Sequence, residues 1–319
     1  MNRMLSSIYT TLRDRGALTL ISAIGNQAMA SVHSKIRRRR FLEKRIHDYR
    51  MLIDLEDRGI SRSLLLFGTR EVDHKVLLEQ IAKPGMTVFD IGANIGYYAL
   101  MELGLIGPTG RMLAIEPSPS NIALLNRNLA LNGEGDRITV LEGAVPDSPG
   151  TASFHLSAHS NLGTFHAHGS AAHMLSGEQI SVRTYTVPEL AEQHGAPDLI
   201  RMDVEGHEVE VIRGMLDAIK SGDMRPTIIF ETHLSRYSPE HDMTGVLTDL
   251  FACGYGVPRA ASSWQEGTAR VRERGYEGSD PIATDGVERV IFENIKNEDA
   301  IDFICRTGGL RTVVLAPIG

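Results

Sequence analysis

The sequence predicts an α/β fold: a doubly wound, mostly parallel sheet flanked by helices and preceded by an N-terminal helical arm. Three observations carry this. From Thr87 onward, short apolar runs alternate with helical stretches of about ten residues, the pattern of parallel βαβ units. The first run, Val88-Phe89-Asp90-Ile91, passes through Gly92-Ala93-Asn94-Ile95-Gly96 into a helix beginning near Tyr97. The second, Leu113-Ala114-Ile115, stops on an acid, Glu116-Pro117.

Composition sets the frame. The chain has 319 residues, 42% hydrophobic and 23% charged, ordinary for a soluble protein with one full core. The net charge of −7 hides an asymmetry. Residues 1–50 hold 11 Lys and Arg against 3 Asp and Glu, so this first stretch is +8 and the remainder −15. An acidic body argues against a nucleic-acid binder, since phosphate contacts need a basic surface. Cys253 and Cys305 lie in apolar patterns and read as buried thiols of a cytosolic protein, with no zinc spacing.

The arm spans residues 1–65. Leu5, Ile8, Tyr9 and Leu12 share a helix face. Ala17–Val32 is apolar but interrupted by Asn26 and Gln27, too short and polar to span a bilayer. The basic run Arg37–Arg40 follows. Such an arm can rest on an anionic membrane surface, or pack on the body or on a second subunit of a homo-oligomer. The expected location is cytoplasmic, with a peripheral membrane contact left open.

Further along, Asp48–Asp57 reads as the end of a helix and Leu64–Phe67 as a short strand. The second domain covers residues 66–319. Val72–Ile81 is a helix stopped by Pro84-Gly85; Thr87–Ile91 is a strand and Tyr97–Leu103 a helix. Arg111–Ile115, Ser120–Leu131 and Ile138–Leu141 repeat the alternation, and Ala152–Leu156 is an extra strand. A His-rich segment, about 157–178, reads as a lid over the acceptor. Ser181–Thr186, Val187–Gln193, Leu199–Asp203, Glu208–Ile219, Thr227–Phe230, Gly245–Cys253 and Tyr255–Pro258 continue the series. A charged, Gly-rich stretch, about 262–286, reads as a mobile insertion before Arg289–Ile295, Ala300–Arg306 and Thr312–Ala316 close the sheet.

Gly92 and Gly96 allow backbone to approach a ligand closely at the carboxyl edge of the first strand, where open α/β sheets bind. The pattern is Gly-x-Asn-x-Gly, without the third glycine of a dinucleotide loop. A pyrophosphate needs that helix N-terminus; a methionyl-adenosine ligand has no phosphate. Glu116, about 25 positions on, suits two ribose hydroxyls. Asp90 can attract a cationic ligand group or fix the loop. Ala93, Asn94, Tyr97 and Pro117 complete the expected contacts. Ala144, just past the third strand, either flanks an adenine or packs strand on helix.

Ile91–Tyr98, Glu116-Pro117 and Asp198-Leu199-Ile200-Arg201-Met202-Asp203-Val204-Glu205-Gly206-His207-Glu208 together resemble the FkbM family of methyltransferases. The resemblance covers about Phe67 to Glu231, and Asp-Val-Glu-Gly-His-Glu is its most specific piece; Arg201 stands where the family often has Lys. It implies a class I methyltransferase (Rossmann-like) sheet of seven strands with the last antiparallel. It also implies S-adenosyl-L-methionine as donor and O-methylation of sugars, glycolipids or polyketide-like hydroxyls, without fixing the acceptor.

Methyl transfer to oxygen must align acceptor oxygen, methyl carbon and sulfonium, and remove the hydroxyl proton. The fourth and fifth strand ends offer Asp203, Glu205, His207, Glu231 and His233. His207 or His233 is the expected base, and Asp203 orients it or holds the donor's ammonium. Asp203, Glu205 and Glu231 could form an oxygen-rich site for a divalent cation such as Mg²⁺, though no spacing demands one. Glu205 can instead serve the following helix N-terminus, and His207 can be a supporting histidine. Glu71, Asn161 and Gly163 are expected at the acceptor. Competing readings are RNA or other small-molecule methylation, a nicotinamide oxidoreductase, and a non-catalytic donor-binding scaffold.

Overall fold

The computed structural model describes residues 3–157 and 175–318. The N-terminal region is less helical than its composition suggests. Helices α1 (Arg3–Arg15) and α2 (Ala17–Lys35) lead into an antiparallel hairpin, β1 (Phe41–Ile46) and β2 (Tyr49–Asp54). The expected helix over Asp48–Asp57 is therefore a strand. Tyr49, Met51 and Ile53 are buried and Arg50 exposed, a period of two that defines a half-buried strand. The expected strand over Leu64–Phe67 is the end of helix α3 (Ile60–Phe67), which buries Ile60, Leu64 and Leu65 on one face and is stopped by left-handed Gly68. Four apolar residues cannot by themselves distinguish a strand from a buried helix turn.

Next come α4 (Val72–Ile81), β3 (Thr87–Ile91), α5 (Tyr97–Ile106), β4 (Arg111–Glu116), α6 (Pro119–Asn132) and β5 (Ile138–Glu142). β6 (Gly150–Ser157) and β7 (Leu175–Thr184) pair with each other outside the main sheet. The His-rich lid with His159, Asn161, Gly163 and His173 lies outside the described residues. The chain continues with α7 (Val187–His194), β8 (Leu199–Met202), α8 (Glu208–Ser221), β9 (Thr227–Glu231), α9 (Met243–Ala252) and β10 (Tyr255–Ser262). The segment expected to be a mobile insertion folds as helix α10 (Gln265–Glu273) and strand β11 (Ile282–Thr284), which pairs with β12 (Val287–Arg289). β13 (Ile291–Ile295), α11 (Asn297–Cys305) and β14 (Leu310–Pro317) complete it.

The main sheet has eight strands in the order β13-β10-β14-β9-β8-β3-β4-β5. From β9 to β5 all neighbours are parallel; β14 runs antiparallel to both β9 and β10, and β13 antiparallel to β10. The seven strands β5 to β10 are the expected class I arrangement, and β13 adds an eighth at the edge. Alternate residues serve opposite faces. Phe89, Ile91, Leu113, Ile115, Ile200 and Met202 pack in one core with α7, α8 and α9. Val88, Met112, Ala114 and Leu199 pack in the other with the hairpin, α3 and α5. The strand order reverses beside β3, so its carboxyl end opens a crevice.

Candidate active site

The crevice is a cavity of about 260 Å³. Gly92, Ala93, Asn94 and Tyr97 line it from the bend after β3, Glu116, Pro117 and Ser118 from the end of β4, Gly143, Ala144 and Val145 after β5, and Asp203, Glu205 and His207 after β8. Arg70 and Glu71 close it from the α3–α4 connection, and Phe154 and Leu156 from β6. Sequence reading placed most of these wall residues. It missed Arg70, Ser118, Gly143, Val145, Phe154 and Leu156.

Local chemistry fixes the bend. Gly92 has φ of 85°, and a Cβ there would fall inside the backbone oxygen of Asp203. Gly92 and Ala93 both donate their N–H to the Ile115 carbonyl, at 2.9 and 3.1 Å. Gly96 also needs glycine, with φ of 90° and Leu125 Cδ1 2.6 Å from where a Cβ would sit, but it packs behind the bend and is not part of the cavity wall. Asn94 at φ 52° donates its N–H to Glu116 Oε2 at 2.9 Å. Glu116 Oε1 accepts from the Ser118 N–H and from Asn121 Nδ2, both at 3.0 Å. Burial pushes the Glu116 carboxyl up to about 7, against the pull of these three donors.

Asp90 does not reach the cavity. It is fully buried beneath the bend, where Arg201 Nη1 donates to its Oδ1 at 3.1 Å and to the Gly92 carbonyl at 3.1 Å. Arg201 Nη2 reaches Asp203 Oδ2 at 3.2 Å, and the guanidinium lies 4.2 Å from the Tyr98 ring centroid. Burial alone would lower the Arg201 pKa, but Asp90 and Asp203 hold it above its usual value. The arginine thus ties the first strand end to the fourth. Of the two readings of Asp90, loop fixing is the one its contacts match.

The far wall is denser in charge than the sequence reading allowed. Glu71 takes a left-handed φ of 47°, a strained geometry for a non-glycine residue. Its N–H donates to Asp285 Oδ2 at 2.8 Å, and its carboxylate pairs with Arg70 and accepts from Tyr98 Oη at 2.6 Å. Burial would raise this carboxyl, but Arg70 holds it below the usual carboxylate range. Glu205, also left-handed at φ 53°, is pushed up to about 7 by burial and by Asp203, against His233.

His233 does not suit the role of base. Burial would lower its pKa, but Nδ1 sits 3.0 Å from Glu208 Oε1, and Nε2 lies 3.7 Å from Glu205 and 3.6 Å from Glu231. These carboxylates raise it to about 10, so the ring is protonated at neutral pH and has no lone pair to offer. Neither His233 nor Glu231 is part of the cavity wall. His207 is: burial lowers its pKa, leaving a neutral imidazole 3.3 Å from Glu210.

The cation set expected from sequence, Asp203, Glu205 and Glu231, is not the set that converges. Among the described residues, Asp203, Glu231 and His233 can bring ligand atoms within 4.8 Å of one another. Burial pushes Glu231 up to about 8, and Arg311 from β14 pairs with it. A protonated histidine and a guanidinium already occupy these groups, so they do not fit a divalent cation. Arg311 was invisible in the sequence, as a single basic residue opening an apolar strand.

The sequence matches the Methyltransferase FkbM domain over residues 90–257. The chain belongs to the FkbM methyltransferase family. It is 30% identical over 162 residues to the hexuronic acid methyltransferase AglP of Haloferax volcanii, covering 50% of this chain and 60% of that protein. It is also 28% identical over 150 residues to a tRNA wybutosine-synthesizing protein 2 homolog of Danio rerio, covering 46% of this chain and 36% of that one. The chain thus spans at most 60% of the length of these curated relatives. A solved FkbM methyltransferase from Methylobacillus flagellatus is 14% identical with a TM-score of 0.38, covering 73% of this chain and 52% of that one. The FkbM match begins at Asp90 and takes in the glycine bend, Glu116 and the Asp203–Glu208 loop, so the family's domain supplies most of the cavity wall, while Arg70 and Glu71 come from the chain before it.

Proposed function

We propose that this chain is an S-adenosylmethionine-dependent O-methyltransferase acting on a hydroxyl of a sugar, glycan, glycolipid or polyketide-like metabolite. One observation carries the reading: a single cavity joins a bare glycine bend and a lone carboxylate at one end to displaced acids and a neutral imidazole at the other. The donor fits the residues present. At Gly92 the cavity wall is bare backbone, because a Cβ there would run into the Asp203 carbonyl. A carboxylate has about four lone-pair sites, so Glu116 can keep its three donors and still accept one ribose hydroxyl. Pro117, Ala144 and Val145 offer apolar surface for the adenine. When bound, this donor supplies an electrophilic methyl group on a sulfonium.

The remaining work falls to the chain. Glu205 Oε takes the proton from the acceptor hydroxyl; with its pKa at about 7, it is ionised just above neutrality, where a general base is most effective. His207, held neutral, hydrogen-bonds the acceptor. Asp203, steadied by Arg201, faces the donor's ammonium. Protonated His233 moderates the charge of Glu205, and Phe154 and Leu156 help exclude water. The sugar class draws support from the relative that methylates a hexuronic acid.

Donor titration by calorimetry comes first, followed by incubation of the enzyme and donor with uronic-acid-containing glycans. Mass spectrometry should show a gain of one methylene unit. An absence of donor binding would refute the proposal at its root. Binding without transfer to any hydroxylated acceptor would leave the scaffold reading in its place.

A further inference from the structure

Helix α2 carries its apolar residues the opposite way round from a helix that only covers its own body. Its inward face is small. Ala23 and Ala30 are its buried residues, and Asn26 Nδ2 donates to the Leu66 carbonyl at 3.0 Å, fixing the rotation of the helix on α3. Its large apolar side chains point outward: Leu18 is 84% exposed, Ile21 66% and, just past the helix end, Ile36 74%, with Met29 and Val32 also exposed. At 100° per residue these five fall on one stripe. An ordinary surface helix turns such a stripe to the core, and contiguous exposed apolar surface marks a site of interaction.

Charge selects the occupant. The stripe runs into Arg37, Arg38, Arg39 and Arg40, all exposed, within a first 50 residues of net charge +8 beside a remainder of −15. We infer that α2 and the arginines after it form a docking surface for an anionic lipid bilayer, with the stripe sunk among the acyl chains and the arginines on the headgroups. Large apolar residues beside a basic cluster are the chemistry of an interfacial helix. No described helix is long and apolar enough to cross a membrane, so α2 would lie along the surface. The acidic remainder, repelled by the same headgroups, would face away. Pairing two stripes in a dimer would instead bring together two arms that are each strongly positive.

The test is co-sedimentation of the full chain with phosphatidylcholine vesicles and with mixed phosphatidylcholine–phosphatidylglycerol vesicles. Binding is expected only to the anionic vesicles, and it should weaken with salt. A Leu18→Ser/Ile21→Ser/Val32→Ser variant should lose binding at least tenfold. An Arg37→Gln/Arg38→Gln/Arg39→Gln variant should lose more, at roughly fivefold per arginine; Arg40 is spared because it pairs with Asp54 at 2.6 Å. Unchanged donor affinity in both variants would show that the fold survives; if the triple serine variant fails that check, Ile36→Ser alone replaces it. Equal binding to both vesicle types, or none, would overturn the inference. So would a dimer in light scattering that the serine variant abolishes, which would make a second copy the occupant.

Discussion

Replacing Gly92 by alanine should damage both stability and donor binding, and a second glycine in the same chain supplies the control. Gly92 and Gly222 share a φ of 85°. A left-handed alanine costs about 1–2 kcal/mol at either position. At Gly222, after α8, a Cβ would meet nothing within 4 Å, so that cost should be the whole effect. At Gly92 the Cβ would overlap the Asp203 carbonyl, whose residue is pinned by its own N–H to the Ile91 carbonyl at 3.2 Å and by Arg201. Overpacking of this kind adds about 1–3 kcal/mol. Gly92→Ala should therefore cost about 2–5 kcal/mol in all. Each kcal/mol should lower Tm by on the order of 2 °C in a chain of this size. Thermal unfolding reads the stability, and calorimetry should show donor affinity reduced at least tenfold in Gly92→Ala and unchanged in Gly222→Ala. Equal melting temperatures for the two variants, with normal donor affinity at position 92, would refute the close approach on which the site rests.

Glu205→Gln should lower kcat by roughly 100-fold or more, the scale of a lost general base, while donor Kd stays within a factor of two or so; a normal kcat would remove Glu205 from the chemistry. Donor affinity should depend on pH through Glu116. The free carboxyl titrates at about 7, and a ribose hydroxyl donates to its ionised form. Affinity should therefore be flat above that pH and fall by up to tenfold per unit below it, and calorimetry at several pH values should find the slope absent in Glu116→Gln. Arg201→Met should strand the buried Asp90 carboxylate and cost about 3–5 kcal/mol. Asp90→Asn in the same chain should recover much of it, a coupling that denaturant titration can measure.

The donor end of the site was readable because its parts are short-range. Strand, glycine bend, helix and the next strand's terminal acid follow one another in order, and Gly92, Asn94 and Glu116 stand where the pattern put them. The acceptor end was harder, because charge there is set by groups far apart in the chain. His233 looked like a base until Glu205, Glu208 and Glu231 were seen around it. Arg311 and Asp285 come from the last elements and leave no local trace. The fold shows the same division. The βαβ alternation gave the parallel half of the sheet correctly. Tyr49–Asp54 was misread because its alternation lies among charged residues, and Leu64–Phe67 because four apolar residues fit two periods.

β14 comes last among the strands yet lies inside the sheet, hydrogen-bonded to β9 on one side and β10 on the other. Until it inserts, the parallel half and the β10–β13 pair have no backbone contact in the sheet between them. Its Arg311 also partners Glu231. Loss of residues 310–317 would thus do more than shorten an edge: it would split the sheet in two and leave an acid beside the acceptor wall without its cation. Mutations or proteolytic nicks in this strand should behave as defects of the whole domain.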